Sequence, residues 1–149
     1  MLPFDDYPDR GNKLLGLLRG SNCRREYGLK FMQLTRQRRC AYCEVDLTTN
    51  YEVWLTMVLD HAFPVSLCRR LEIPEEWCWD LSNLVLACGA CNGFCNRYEP
   101  SFSMIRPLSI EDFYKLRDEM FTERKKLICE RHGEERAFFQ LKSWEEPNV

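Results

Sequence analysis

The chain has 149 residues, of which 45% are hydrophobic and 30% charged, and its formal net charge is −2. That length suits a single domain, 1–149, with flanking helices, and that composition excludes a disordered tail. No apolar run approaches the roughly 18 residues that a membrane span requires, so no membrane partner is expected.

The start of the chain, Met1 to Asp6, has neither a basic opening nor an apolar stretch. A secretory signal is therefore not expected, and the expected compartment is cytoplasmic. Nine cysteines are many for such a chain. An odd number in a reducing compartment points to metal ligation plus packed thiols rather than a disulfide framework. Charge is spread unevenly. Residues 1–43 carry nine Lys/Arg against four Asp/Glu, residues 44–100 three against nine, and residues 101–149 nine against ten. A basic arm thus leads into an acidic middle, and any anion-binding face has to be local.

Taken in chain order, residues 1–12 read as loop and 13–39 as a basic helical extension. Within it, 23–39 is the regular part, with Tyr27, Phe31 and Leu34 on one side and Lys30 and five arginines around the rest. Val53 to Leu59 is β-branched and apolar, which predicts a buried strand. Residues 66–80 form a connecting insertion, Leu84 to Leu86 a second strand, and Asn92 to Tyr98 the opening of a helix. Ser109 to Asp112 reads as a capping box. Phe113, Leu116, Met120 and Leu127 then share one stripe, and Gly133 is the expected stop of a long amphipathic helix over 109–132.

Cys40-Ala-Tyr-Cys43 and Cys88-Gly-Ala-Cys91 are two Cys-x-x-Cys pairs. Two residues between ligands let one tight turn aim both sulfurs at a single ion. Two such turns complete the tetrahedral set of a structural Zn²⁺. A redox role for either pair needs a thioredoxin-like βαβ pattern, which is absent. Cys95 lies one helical turn after Cys91 and could replace a ligand. Cys23, Cys68, Cys78 and Cys129 read as packed thiols.

Between the pairs stand Asp60-His61 at the end of the first apolar segment and Asn83 just before the second; Asn92 and Asn96 follow the last cysteine pair. This order resembles the HNH endonuclease family, the zinc-supported branch of the ββα-metal nucleases, over residues 40–98. The resemblance implies an α+β fold. Its small ββα-metal core would carry the four-cysteine zinc site, between the N-terminal basic helix and the long C-terminal helix. It further implies that Asp60 and Asn92 coordinate a catalytic divalent ion, that His61 is the general base, and that Asn83 holds the loop carrying His61. Asn96, four residues beyond Asn92, is a further candidate ligand. Many family members place a lysine three residues after the last ligand, where this chain has Cys95; Arg97 is close enough in sequence to serve.

The chemistry is coherent with that implication. Phosphodiester hydrolysis needs an activated water and a cation that stabilises charge on the phosphoryl and leaving oxygens. Carboxylate and amide oxygens are hard ligands and favour Mg²⁺ or Mn²⁺. An imidazole of ordinary pKa, about 6.5, is a fitting base at cellular pH. Arg24, Arg25, Arg36, Arg38, Arg39 and Arg97 are candidates for gripping nucleic-acid phosphates, with DNA the expected partner and RNA the other nucleic acid compatible with the pattern. A homodimer is a natural way for so small an enzyme to cut both strands. The reading of a different class is a non-catalytic, zinc-stabilised module that binds nucleic acid or protein, with Asp60-His61 only structural. His132 reads as a helix-end residue, and the four tryptophans as core or interface.

Overall fold

Two four-residue strands run through the centre of the molecule. In the computed structural model, which describes residues 1–8, 23–95, 97–142 and 144, β1 (Val58–His61) pairs antiparallel with β2 (Leu84–Ala87). Val58 faces Ala87 at one end and His61 faces Leu84 at the other. All four β2 residues are fully buried, as a continuous apolar segment predicts. The fold is mixed, a small antiparallel sheet surrounded by helices.

The first predicted strand is shorter than expected. Tyr51–Leu55 is a helix, α2, because Asn50 caps it by accepting the Val53 N–H at 2.9 Å. The β-branched run 53–59 is thus divided between a helical turn and β1. The expected helix over 23–39 is also truncated. A π-helical turn, Cys23–Gly28, leads into α1 (Leu29–Thr35), and Arg36 closes it in the left-handed conformation at φ 60°. Its N–H reaches the Met32 carbonyl at 2.8 Å, so Arg38 and Arg39 follow outside the helix.

The 66–80 insertion is ordered as two short helices, α3 (Val65–Arg70) and α4 (Glu75–Cys78). Pro64 and Pro74 stand at their N-caps. After β2 comes α5 (Gly89–Phe94), beginning at the second cysteine pair rather than at Asn92.

The last helix, α6, runs for 32 residues from Ile110 to Leu141. Ser109 Oγ accepts the Asp112 N–H at 3.2 Å, so the predicted start is correct. The predicted stop is not. Gly133 lies inside the helix with open space where a side chain would be. The buried face is Phe113, Arg117, Met120, Phe121, Arg124 and Ile128, while Leu127 points outward. Two arginines therefore occupy core positions, and the apolar stripe alone mis-set the rotation of the helix. Arg117, 1% exposed, donates to the Ser82 carbonyl at 2.6 Å and lies 3.9 Å from the Phe4 ring centroid. Such a buried guanidinium needs these acceptors to offset its desolvation.

Two apolar clusters flank the sheet. Phe4, Phe31, Tyr42, Leu47 and Phe121 pack with β2 in one, and Phe63, Leu67, Ile73, Phe113 and Met120 form the other. Helix α6 supplies both. No helix among the described residues is long and apolar enough to cross a membrane.

Candidate metal centre and the adjoining Asp-His pocket

The first cysteine pair sits on a tight turn. Glu44 N–H reaches the Cys40 carbonyl and Cys40 N–H the Val45 carbonyl, each at 2.9 Å, with Glu44 at φ 66°. Ala41 N–H donates to the Leu86 carbonyl at 2.8 Å, which fastens the turn to β2. The second pair opens α5, with Cys88 as its N-cap. The four Sγ atoms of Cys40, Cys43, Cys88 and Cys91 all lie within 4.8 Å of one another. Cys43 and Cys88 are 3.8 Å apart. A tetrahedron with metal–sulfur bonds of about 2.3 Å has edges of about 3.8 Å, so the donor set fits zinc.

Electrostatics agree with the geometry. Hydrogen bonds from Cys88 and Cys91 hold the Cys40 thiol far below its usual range. Burial pushes Cys43 up to about 11, and the hydrogen bond that Cys91 gives to Cys40 raises the Cys91 thiol. Four adjacent thiols cannot all ionise side by side unless a cation joins them. These four cysteines can hold a metal ion such as zinc.

Two neighbours depart from expectation. His132 Nε2 stands 3.0 Å from Cys91 Sγ, and its ring meets Phe94 edge-on at 4.9 Å. It is no helix-end residue, because α6 continues past it. Cys95 is outside the quartet; its thiol faces Arg124 and Asp60, and burial raises its pKa. Cys68 and Cys78 are buried as expected, but Cys129 is exposed and the Cys23 side chain lies outside the described residues.

The Asp-His pair lies at the other end of the sheet. Asp60 Oδ2 accepts from Tyr42 Oη at 2.5 Å and from Arg124 Nη2 at 3.0 Å. The Asp60 and Arg124 side chains are only 13% and 4% exposed, so this is a buried ion pair. Arg124 Nη1 also donates to the His61 and Ala62 carbonyls, at 2.8 and 3.0 Å. His61 meets Trp79 instead, edge-on at 4.5 Å, and its Nε2 is buried with no hydrogen-bond partner among the described residues. Neighbouring strand residues point to opposite faces, so Asp60 goes to one apolar cluster and His61 to the other. Burial lowers the His61 pKa from 6.5 to about 4, against the opposing pull of Asp60. The imidazole is therefore neutral at cellular pH, well below the value a sequence reading assigns.

Asn83 is fully buried beneath the loop that follows His61. Its Oδ1 accepts the Phe63 N–H at 2.9 Å, and its Nδ2 donates to the Phe63 and Cys78 carbonyls at 3.1 and 2.9 Å. Its own carbonyl accepts the Ala62 N–H at 2.8 Å. Asn92 is half-buried on α5, and Asn96 lies outside the described residues.

The basic residues divide. Arg24 is committed to α2, donating to the Leu55 carbonyl at 2.9 Å and lying over Trp54. Arg36, Arg38 and Arg39 line a groove of about 470 Å³ together with Lys125. Within it, Arg38 pairs with Asp46 at 3.6 Å and Arg39 donates to the Glu44 carbonyl. Arg25 and Arg97 are exposed. Of the tryptophans, Trp77 and Trp79 pack on the second cluster, whereas Trp144 is exposed.

Arg124 and Tyr42 carry no motif in the sequence, while His132 and Trp79 are expected only at a helix end and in the core or an interface. Arg124 did carry a signal: with Arg117 it falls seven residues apart on the helix face that Phe113 and Met120 mark as buried. No known protein family, curated protein or solved structure matches this chain.

Proposed function

We propose that the chain is a metal-dependent endonuclease of the HNH type that hydrolyses phosphodiester bonds of DNA. The observation that carries this reading is the packing of Asn83 under the loop after His61. It ties the Asp60-His61 strand end to the start of β2, the strand that leads into α5, which is the connection a ββα-metal site requires. Zn²⁺ on Cys40, Cys43, Cys88 and Cys91 supports the fold. Asp60 and Asn92 would hold Mg²⁺ or Mn²⁺, with Asn96 a further candidate ligand, and the ion would supply charge stabilisation on the phosphoryl and leaving oxygens.

Both hydrogen bonds to the Asp60 carboxylate fall on Oδ2, which leaves Oδ1 for the ion. Tyr42 and Arg124 then act as outer partners that fix the ligand's orientation. The neutral His61 would accept a proton from the attacking water, as the water oxygen bonds to phosphorus, once its ring turns from Trp79 toward the Asp60 face of the strand end. The bond from phosphorus to the 3′ oxygen would break and that oxygen take up a proton from solvent, leaving a 5′-phosphate and a 3′-hydroxyl. The arginines of the 36–39 groove are the first candidates for backbone phosphate contacts, which add affinity without base recognition.

One observation favours the second reading, a zinc-stabilised binding module. The Asp60 charge is already matched inside the chain by Arg124, so the pocket is electrostatically complete without an added ion. Plasmid nicking with Mg²⁺ or Mn²⁺ separates the two. The nuclease reading expects nicking that His61→Ala lowers by about 10²–10⁴-fold while zinc content and DNA binding persist. Binding with no cleavage in either metal, or a His61→Ala chain that cuts at the parental rate, supports the module instead.

A further inference from the structure

Ile128 is the last fully buried residue of helix α6, and His132 beyond it still reaches Cys91 and Phe94. From Cys129 to Leu141 every residue is exposed except the half-buried His132, a projection of about 20 Å at 1.5 Å per residue. A solvent-surrounded helix end of this kind is expected to be polar all round. This one is not. Leu127, Arg131, Glu134, Phe138 and Leu141 follow one another at spacings of four, three, four and three, and so form a single stripe. Leu127 is 43% exposed, Phe138 55% and Leu141 86%.

The stripe is self-complementary when reversed. Counted from the midpoint between Arg131 and Glu134, Arg131 on one side answers Glu134 on the other, and Leu127 answers Phe138. A two-fold axis through that midpoint lays the helix antiparallel against its copy. Each Arg131 then meets the other chain's Glu134, and each Phe138 meets Leu127. The receiving end is already shaped for this. Leu127 lines a groove of about 420 Å³ with Gly93 and Phe94 of α5, and with Glu130, Arg131 and Glu134 of α6. Gly93 leaves open space at its surface, which an aromatic ring from outside can enter.

We propose that the α6 projection is a homodimerisation surface, with Phe138 of each chain seated in the Gly93–Phe94–Leu127 groove of a second copy. Charge reversal within the stripe argues for a second copy over an unrelated partner, because an unrelated partner does not require the stripe to match itself. Within one chain Arg131 already reaches Glu134 at 3.7 Å and Glu135 at 2.9 Å, both exposed. These contacts hold the charges in place along the helix and contribute little stability themselves.

Sedimentation equilibrium on the full chain, from about 1 µM to about 100 µM, tests this. The parent is expected to reach the mass of two chains, and Phe138→Glu the mass of one. Phe138 is exposed, so circular dichroism should show the variant's fold unchanged. Arg131→Glu puts two acids on the stripe, and Glu134→Arg puts two bases there. Each variant alone should weaken association by at least about tenfold, and an equimolar mixture of the two should restore it. An intrahelical role for these charges is not rescued by mixing. A single-chain mass at every concentration leaves the stripe to a partner of other chemistry and overturns the proposal. So does a dimer that Phe138→Glu leaves intact, or a mixture that associates no better than its components. None of these readouts depends on nuclease activity.

Discussion

The two ends of the β1–β2 pair solve opposite electrostatic problems. At the Ala87 end, four thiols are gathered with one another, the backbone N–H groups of Cys88 and Cys91 and the His132 ring as polar company. At the His61 end, one carboxylate is buried against a guanidinium and a phenol that satisfy it within the chain. The first centre can take up a cation, whereas the second already carries its own in Arg124. A metal held by the four cysteines would contribute to folding at that end, while at the Asp60 end the protein's own charge does so, and an ion there would be an addition to a structure already standing.

The largest test of that contrast removes a sulfur. Cys40→Ser or Cys88→Ser should lose both the metal and the folded state, because structural zinc sites contribute about 10 kcal/mol or more to folding. Elemental analysis should find about one zinc per parental chain and none in the variants. A well-folded parent without zinc would end the comparison.

A smaller effect is expected from breaking the other end. Arg124→Met leaves the Asp60 carboxylate buried and unpaired, which should cost about 3–5 kcal/mol in urea unfolding. Asp60→Asn combined with Arg124→Met should recover most of it, since the pair roughly offsets its own desolvation. If the double variant is no better than the single one, Arg124 acts through its packing on Tyr42 and Tyr98 rather than through its charge.

The pocket should also report its dryness through pH. Above pH 6.5 the His61 imidazole is neutral in both the folded and unfolded chain, and its burial carries no charge penalty. Between 6.5 and about 4 the unfolded chain binds a proton that the folded chain does not, so stability falls as pH falls. From pH 7 to pH 5 the loss amounts to about 2 kcal/mol. His61→Phe should remove that share of the slope and leave the acid sensitivity of the thiolates. Equal slopes in parent and variant, measured without added divalent ion, would show that water reaches the ring.

The smallest expected change lies back at the metal. His132 Nε2 is placed to donate to the Cys91 sulfur in the tautomer that carries its proton there, and outer contacts of this kind tune metal affinity by about 10-fold or more. His132→Ala should release zinc to a competing chelator about 10-fold more readily, with the fold retained. Unchanged release assigns His132 to packing on Phe94 alone.

Local spacing determined a good deal by itself. The two Cys-x-x-Cys pairs, the Leu84–Ala87 strand and the Ser109 cap each depend on residues within four positions of one another, and such short-range constraints survive in any fold. Where the reading failed, the deciding contact came from far along the chain or from one polar side chain. Asn50 converted half of a β-branched run into helix, and the core-facing Arg117 and Arg124 turned α6 away from its apolar stripe. Arg124 reaches Asp60 across 64 residues and His132 reaches Cys91 across 41. Pairing of charges and desolvation are properties of the packed interior. The sequence could name the cysteines and Asp60-His61 as chemistry-bearing groups, but only the tertiary structure decided that the first set comes together closely enough to hold a cation, that Asp60 already has one in Arg124, and that His61 is buried deeply enough to stay neutral.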